Sequence, residues 1–278
     1  SKNTKWFDKN SNETASICGF CGIGCRFDYF SHNDVLVESI PNKVNYSNNK
    51  YPYLFGRFCI VPFTNGNKRL KYPLVKINKE LIPSEWDEVY NTIKENLVKF
   101  RPDEIAILVS VDLSNESAYI LNKFAKKILK TDNIVLTAFL NYKYNEHYLW
   151  RNANIKGVFT NIVSNNKKSQ EEIINEIKSG KIKALYLTER LDDPQILKNI
   201  EYLILQDIYP SKCFQFTDVI LPTCTFIEDS GTFLNIEQKS NYFSQAALEV
   251  GESKPDWKIF CELATIFDKS MEREFSFS

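Results

Sequence analysis

Two hundred and seventy-eight residues, 43% apolar and 14% aromatic, carry enough hydrophobic surface for one large or two modest domains, so disorder is not the default. Thirty-five basic residues balance thirty-five acidic ones, and nothing in the global charge argues for nucleic acid or an anionic membrane as partner. No run approaches the roughly eighteen apolar residues of a membrane span, and no charged-then-apolar leader precedes the first cysteine, which predicts a soluble, cytoplasmic chain.

In chain order, residues 1–16 read as a polar linker with one docking point at Trp6 and Phe7. From Cys18 to about Phe63, short alternating runs such as Arg26 to Phe30 and Val35 to Glu38 predict small strands around a loop-rich site. Trp86, Val89, Tyr90, Ile93 and Leu97 recur at helical spacing over 85–100, with Ser84 as the expected N-cap. Ile105 to Val109 is an uninterrupted apolar run, the pattern of a strand buried on both faces. A helix over 115–129 and a strand over 134–136 complete a strand–helix–strand unit. The pattern returns with a helix at 170–179, a strand at 184–188, a helix near 194–199 and a strand at 202–206; Asp218 to Pro222 adds a short strand. Residues 70–227 therefore predict a doubly wound α/β layer, interrupted by an irregular aromatic and Asn-rich segment over about 139–168, and a last helix at 257–267 closes the chain. The expected fold class is α/β: a small N-terminal strand-and-loop domain packed on a mostly parallel Rossmann-like layer. Its expected divisions are 1–68, 69–238 and a returning segment, 239–278.

The chain has seven cysteines, an odd number, and four lie near the N-terminus, which favours metal ligation in a reducing compartment over a disulfide framework. Cys18, Cys21 and Cys25 share one tight loop and Cys59 comes from a separate one, an arrangement of four thiolates that can enclose a [4Fe-4S] cubane. Gly19, Gly22 and Gly24 between the ligands, and Gly56 before Cys59, let backbone approach the sulfurs without interference from Cβ. Structural zinc and plain buried cysteines remain alternatives on spacing alone. Cys213, Cys224 and Cys261 are far apart among apolar residues and read as small buried hydrophobes; His32 and His147 read as packed or surface residues. Arg26 and Arg57 flank the ligands, where they would tune the site by charge or cover its rim.

The words Ser16 to Cys25 and Gly56-Arg57-Phe58-Cys59 resemble the N-terminal cluster domain of molybdopterin oxidoreductases such as formate dehydrogenase and the large iron–sulfur subunit of complex I. Similar words follow in the same order at Pro73-Leu74, Trp86 to Glu88, Ser114 to Tyr119, Gly180 to Tyr186, Thr217 to Pro222, Glu228 to Glu237 and Pro255 to Trp257. The resemblance implies one [4Fe-4S] cluster on Cys18, Cys21, Cys25 and Cys59. It also sets expectations that this sequence departs from. Catalytic members of the family are far longer. Where formate dehydrogenases present a metal-ligating Cys or selenocysteine followed by His, this chain reads Thr137 to Lys143, and where the family has Lys two residues past the fourth cysteine it has Val61. These departures imply that molybdopterin binding is unlikely, and that the chain is a non-catalytic electron-transfer subunit of an oxidoreductase complex. The implied partners are other iron–sulfur or flavin subunits, with a ferredoxin-like module near Trp6. A catalytic, formate-dehydrogenase-like subunit completed by another polypeptide, and a structural or assembly subunit whose cluster relays nothing, are the competing expectations.

Overall fold

The computed structural model describes residues 11–42, 54–138, 153–162 and 167–272. Trp6, Phe7, His147 and residues 139–143 lie outside the described residues.

The N-terminal module is a three-stranded antiparallel sheet, β1 (Asn12–Ile17), β2 (Arg26–His32) and β3 (Val35–Pro41), in the order β1-β2-β3. Asn33 and Asp34, both at positive φ (47° and 64°), make the two-residue turn from β2 to β3, the backbone that matches strand twist and that Asn and Asp tolerate. Two short helices follow, α1 (Leu54–Phe58) and α2 (Ile60–Thr64). Phe27, Tyr29, Leu36 and Ile60 are buried with Ile227, Ala246 and Ala247, so the module shares a core with the C-terminal part of the chain.

The main layer is a seven-stranded sheet. Its strands are β4 (Leu74–Ile77), β5 (Glu80–Pro83), β6 (Ile105–Val109), β7 (Ile134–Leu136), β8 (Ala184–Leu187), β9 (Tyr202–Asp207) and β10 (Val219–Pro222), in the order β5-β4-β10-β9-β8-β6-β7. Pairings among β6 to β10 are parallel; the β4–β5 hairpin adds on antiparallel through β10. The parallel part is thus doubly wound, with its connections reversing direction between β6 and β8. Helices α3 (Trp86–Leu97), α4 (Asn115–Phe124), α5 (Ile155–Ile162), α6 (Gln170–Lys178) and α7 (Asp256–Phe267) surround it. Strand alternation divides β6 between two cores: Ile105, Ile107 and Val109 face α3, α4 and α7, and Ala106 and Leu108 face α6. Burying each Ile, Leu or Val contributes about 1.5–3 kcal/mol, which is why all five residues of β6 are apolar. A last hairpin, β11 (Gly231–Leu234) with β12 (Ser240–Phe243), spans positions 238 and 239.

Four sequence expectations change. Helix α3 starts from Glu85, because the Ser84 hydroxyl donates to Glu88 Oε2 (2.8 Å) and its N–H to the Pro73 carbonyl (3.0 Å), so Ser84 ends β-type backbone and does not cap. The helix expected over 115–129 is α-helical to Phe124 and continues as a π turn, Ala125–Leu129, closed by Lys130 at φ 55°. Residues 194–199 form a 3-10 turn, Pro194–Asn199. Within the segment expected to be irregular, α5 forms because Ile155, Val158 and Ile162 repeat at helical spacing, with Val158 and Ile162 fully buried. Among the described residues, no helix is long and apolar enough to cross a membrane.

Candidate redox centre and the adjoining cavity

Cys18 follows β1 directly, Cys25 precedes β2 directly, and Cys21 lies in the loop between them. The Cys18 N–H donates to the Cys25 carbonyl (2.8 Å), so the antiparallel pairing of β1 and β2 closes the loop at its base. Gly24 sits at φ +67°, a left-handed turn that costs glycine nothing. The Ile236 N–H donates to the Gly22 carbonyl (2.8 Å), pinning the loop to the β11–β12 turn. Backbone hydrogen bonding by Phe20 at Cys18, and by Ile23 and Gly24 at Cys21, favours the thiolates. Burial nevertheless raises both thiols, Cys18 to about 12, so neither would ionise near neutrality without a cation to bind.

Cys59 lies between α1 and α2. Its segment presses on the first loop: a Cβ built on Gly56 would lie 3.1 Å from Cys18 Sγ and 2.9 Å from the Phe27 ring. All seven cysteines are free thiols. The donor set is of the kind that suits a thiolate-bound cluster: sulfur only, with three donors on one glycine-bearing loop. Val61, where the resemblance expected Lys, packs into the module's core. Cys213 and Cys224 are buried and Cys261 is half-buried. His32 ends β2, half-buried.

Beside the cysteines lies a cavity of about 500 Å³, bounded on one side by Gly19, Phe20 and Cys59. Its other walls are the loops that leave the C-terminal ends of β6, β8, β9 and β10, the place where doubly wound sheets bind ligands. The residues that give it character were missed in the sequence reading: Asp112, Glu189, Asp207, Asp229 and Asp256. Asp112, Glu189 and Asp207 each stand at or just past a strand end, a signal available in the sequence. Enclosure by protein raises all five carboxyls, Asp229 to about 7 and Asp256 to about 6; at Glu189 the charges of Asp112 and Asp207 add to the burial. The cation on this wall is Arg190, whose Nη1 donates to Asp207 Oδ1 (3.2 Å).

A fully buried ion pair lies between module and layer. Arg69 Nη2 and Nη1 donate to Glu228 Oε2 and Oε1 (2.8 and 3.2 Å), and neither side chain has any exposure.

The family model for molybdopterin oxidoreductase matches residues 69–158 and 135–266. The chain belongs to that family. Two relatives from Methanococcus maripaludis, the alpha subunits of F420-dependent formate dehydrogenases 2 and 1, are 36% and 34% identical to it over 119 residues. Each match covers 43% of this chain but 18% of the relative, so the shared stretch is under a fifth of those proteins. Acetylene hydratase from Pelobacter acetylenicus superposes on 94% of the chain and 70% of its own with a TM-score of 0.67; at 10% identity this is a likeness of fold.

Proposed function

We propose that this molybdopterin oxidoreductase family member is an iron–sulfur electron-transfer subunit of a larger oxidoreductase, with Cys18, Cys21, Cys25 and Cys59 holding one [4Fe-4S] cluster. Such a cluster, when bound, supplies one-electron transfer. The observation that carries the reading is the Cys18–Cys25 loop, closed by the Cys18 N–H on the Cys25 carbonyl (2.8 Å), with Gly56 of the Cys59 segment packed on Cys18 Sγ. The residues of the chain close the Cys18–Cys25 loop, hold Cys59 against it and exclude water with the Phe20, Phe63 and Phe226 rings, whose centroids stand 5.1 and 5.5 Å from that of Phe20. Free cysteines throughout agree with a reducing compartment, which we take to be the cytoplasm. Other iron–sulfur or flavin subunits would give and take the electron.

We take a pterin dinucleotide to be an unlikely occupant of the adjoining cavity, because the charged groups on its wall are five carboxyls and one arginine paired with Asp207, beside the hydroxyls of Ser110, Ser114, Thr188, Thr223 and Thr225. A catalytic role completed by a partner chain is the second reading, favoured by the position of the cavity at the strand ends and by the formate dehydrogenase relatives.

Iron, acid-labile sulfide, zinc, molybdenum and tungsten analysis of the intact complex, with electron paramagnetic resonance after reduction by its donor, tests both. The relay reading expects about four irons and four sulfides per chain and a signal that appears on reduction. Stoichiometric zinc without labile sulfide would overturn it, and stoichiometric molybdenum or tungsten with a releasable pterin fluorophore would establish the second reading.

A further inference from the structure

We propose that Arg69, held by Glu228, is a positioning residue that fixes the fourth cysteine, Cys59, against the other three; this rests on the reading of those cysteines as cluster ligands. The energetics of the pair set the problem. A wholly buried ion pair gains little over apolar residues of similar size, because two charges must leave water. This one is dearer still, since Arg69 Nε is buried without a hydrogen-bond partner. Stability alone is a weak reason for it.

What the guanidinium spans supplies another. Nη1 donates to the Thr64 carbonyl at the end of α2 (2.6 Å), and Nη2 lies at 3.4 Å from the Thr223 carbonyl, just past β10. Glu228, which fixes both nitrogens, is itself held by the Thr225 N–H and hydroxyl (2.7 and 3.0 Å). One planar group therefore ties the last turn of α2 to the strand-end wall of the cavity. Helix α2 is only five residues long and begins immediately after Cys59, and the Phe63 N–H donates to the Cys59 carbonyl (2.9 Å), so a shift at Thr64 is carried to Cys59 through a single turn.

The other side of Cys59 is fixed independently. Ser39 Oγ donates to the Gly56 and Arg57 carbonyls (3.2 and 3.1 Å), tying α1 to β3. Cys59 thus sits between an upstream pin within the module and a downstream pin to the layer. Tyr209 Oη adds to the second by donating to the Phe63 carbonyl (2.6 Å).

The test separates position from stability. Glu228→Gln leaves the Arg69 charge unpaired and should lower stability. The double variant Arg69→Met/Glu228→Met removes both charges and should recover much of that loss, yet it still lacks the bonds to Thr64 and Thr223. If Arg69 positions Cys59, both variants release iron to a chelator at least tenfold faster than the parent and show a shifted midpoint potential, the double variant included. A second readout needs no cluster: in iron-free full-length chain, iodoacetamide should alkylate Cys59 severalfold faster in the double variant, by peptide mass analysis, with Cys213 alkylation unchanged. A double variant with parental iron release, potential and Cys59 alkylation would overturn the proposal, as would effects that simply follow melting temperature across the variants. A parent without iron or labile sulfide would instead refute the cluster reading, and the alkylation rates would still decide whether Arg69 positions Cys59.

Discussion

The first three cysteines and the fourth are held in opposite ways. Cys18, Cys21 and Cys25 depend on eight residues of chain and on one β1–β2 pairing, so their geometry follows from nearby sequence. Cys59 depends on partners remote in sequence, Arg69 and Glu228 alone being 159 positions apart. A site assembled in these two ways should fail in two ways: abruptly when a loop ligand is lost, gradually when the contacts around the fourth are loosened.

Cys21→Ala should have the largest effect. With one of three loop donors gone, iron and labile sulfide should fall to background and protease should cut within 18–63, measured by iron assay and limited proteolysis. Iron retained near the parental level would mean that Cys21 is not a ligand. Gly56→Ala should produce the graded failure. Its Cβ would sit 2.9 Å from the Phe27 ring and 3.1 Å from Cys18 Sγ, so either α1 or the first loop must move, at a cost of about 1–3 kcal/mol in melting experiments. Partial iron occupancy with an altered spectrum is the expected outcome; complete loss would erase the distinction between the two sets.

The same contrast explains what could be read from the sequence. Cys18, Cys21, Cys25 and Cys59 stand out in the sequence because short spacing and intervening glycines are local signals, and β6, β8 and β9 were legible because uninterrupted apolar runs need no partner to be recognised. The β4–β5 and β11–β12 hairpins were not, since each strand is only four residues long and β4 becomes part of the main sheet only by pairing with β10, far along the chain. Helix α5 was hidden by the Asn-rich composition around it although its apolar spacing was present. The acidic wall was legible only in the strand-end positions of Asp112, Glu189 and Asp207; with Asp229 and Asp256 they become neighbours only when several connections converge on one end of the sheet.

That convergence has a pH signature. Enclosure raises Asp229 from 3.8 to about 7, so the folded protein keeps a proton there that the unfolded chain loses near pH 4. Between those values the unfolded state binds fewer protons, and this carboxyl's contribution to stability declines as pH rises from about 4 to about 7. Asp229→Asn keeps the carbonyl oxygen that accepts from the Ser230 N–H (2.7 Å) and Trp257 Nε1 (3.2 Å) but cannot ionise. Its melting temperature relative to the parent should therefore climb across that interval and level off above it. A constant difference from pH 4 to 8 would show that Asp229 titrates normally.

Cys213→Ala should have the smallest effect, and it completes the comparison because it deletes the same atom as Cys21→Ala from a different setting. Cys213 is fully buried in the core on the α6 side of the sheet, among Leu191, Leu197 and Leu205. Its sulfur accepts from the Leu191 N–H (3.3 Å) and its S–H donates to the Leu191 carbonyl (3.9 Å), weak bonds that fix a turn and not a ligand. Removing it leaves a small void and an unpaired N–H, worth about 1–2 kcal/mol. Because Cys213 and the α6-side core pack on the opposite face of the sheet from α4 and α7 and take no part in the cysteine module, iron content, midpoint potential and Cys59 alkylation should all match the parent. Denaturant unfolding should show the lower midpoint with an unchanged slope. Loss of iron comparable to that of Cys21→Ala would mean that the layer's core, and not the loop and the Arg69 tie, controls the cysteines.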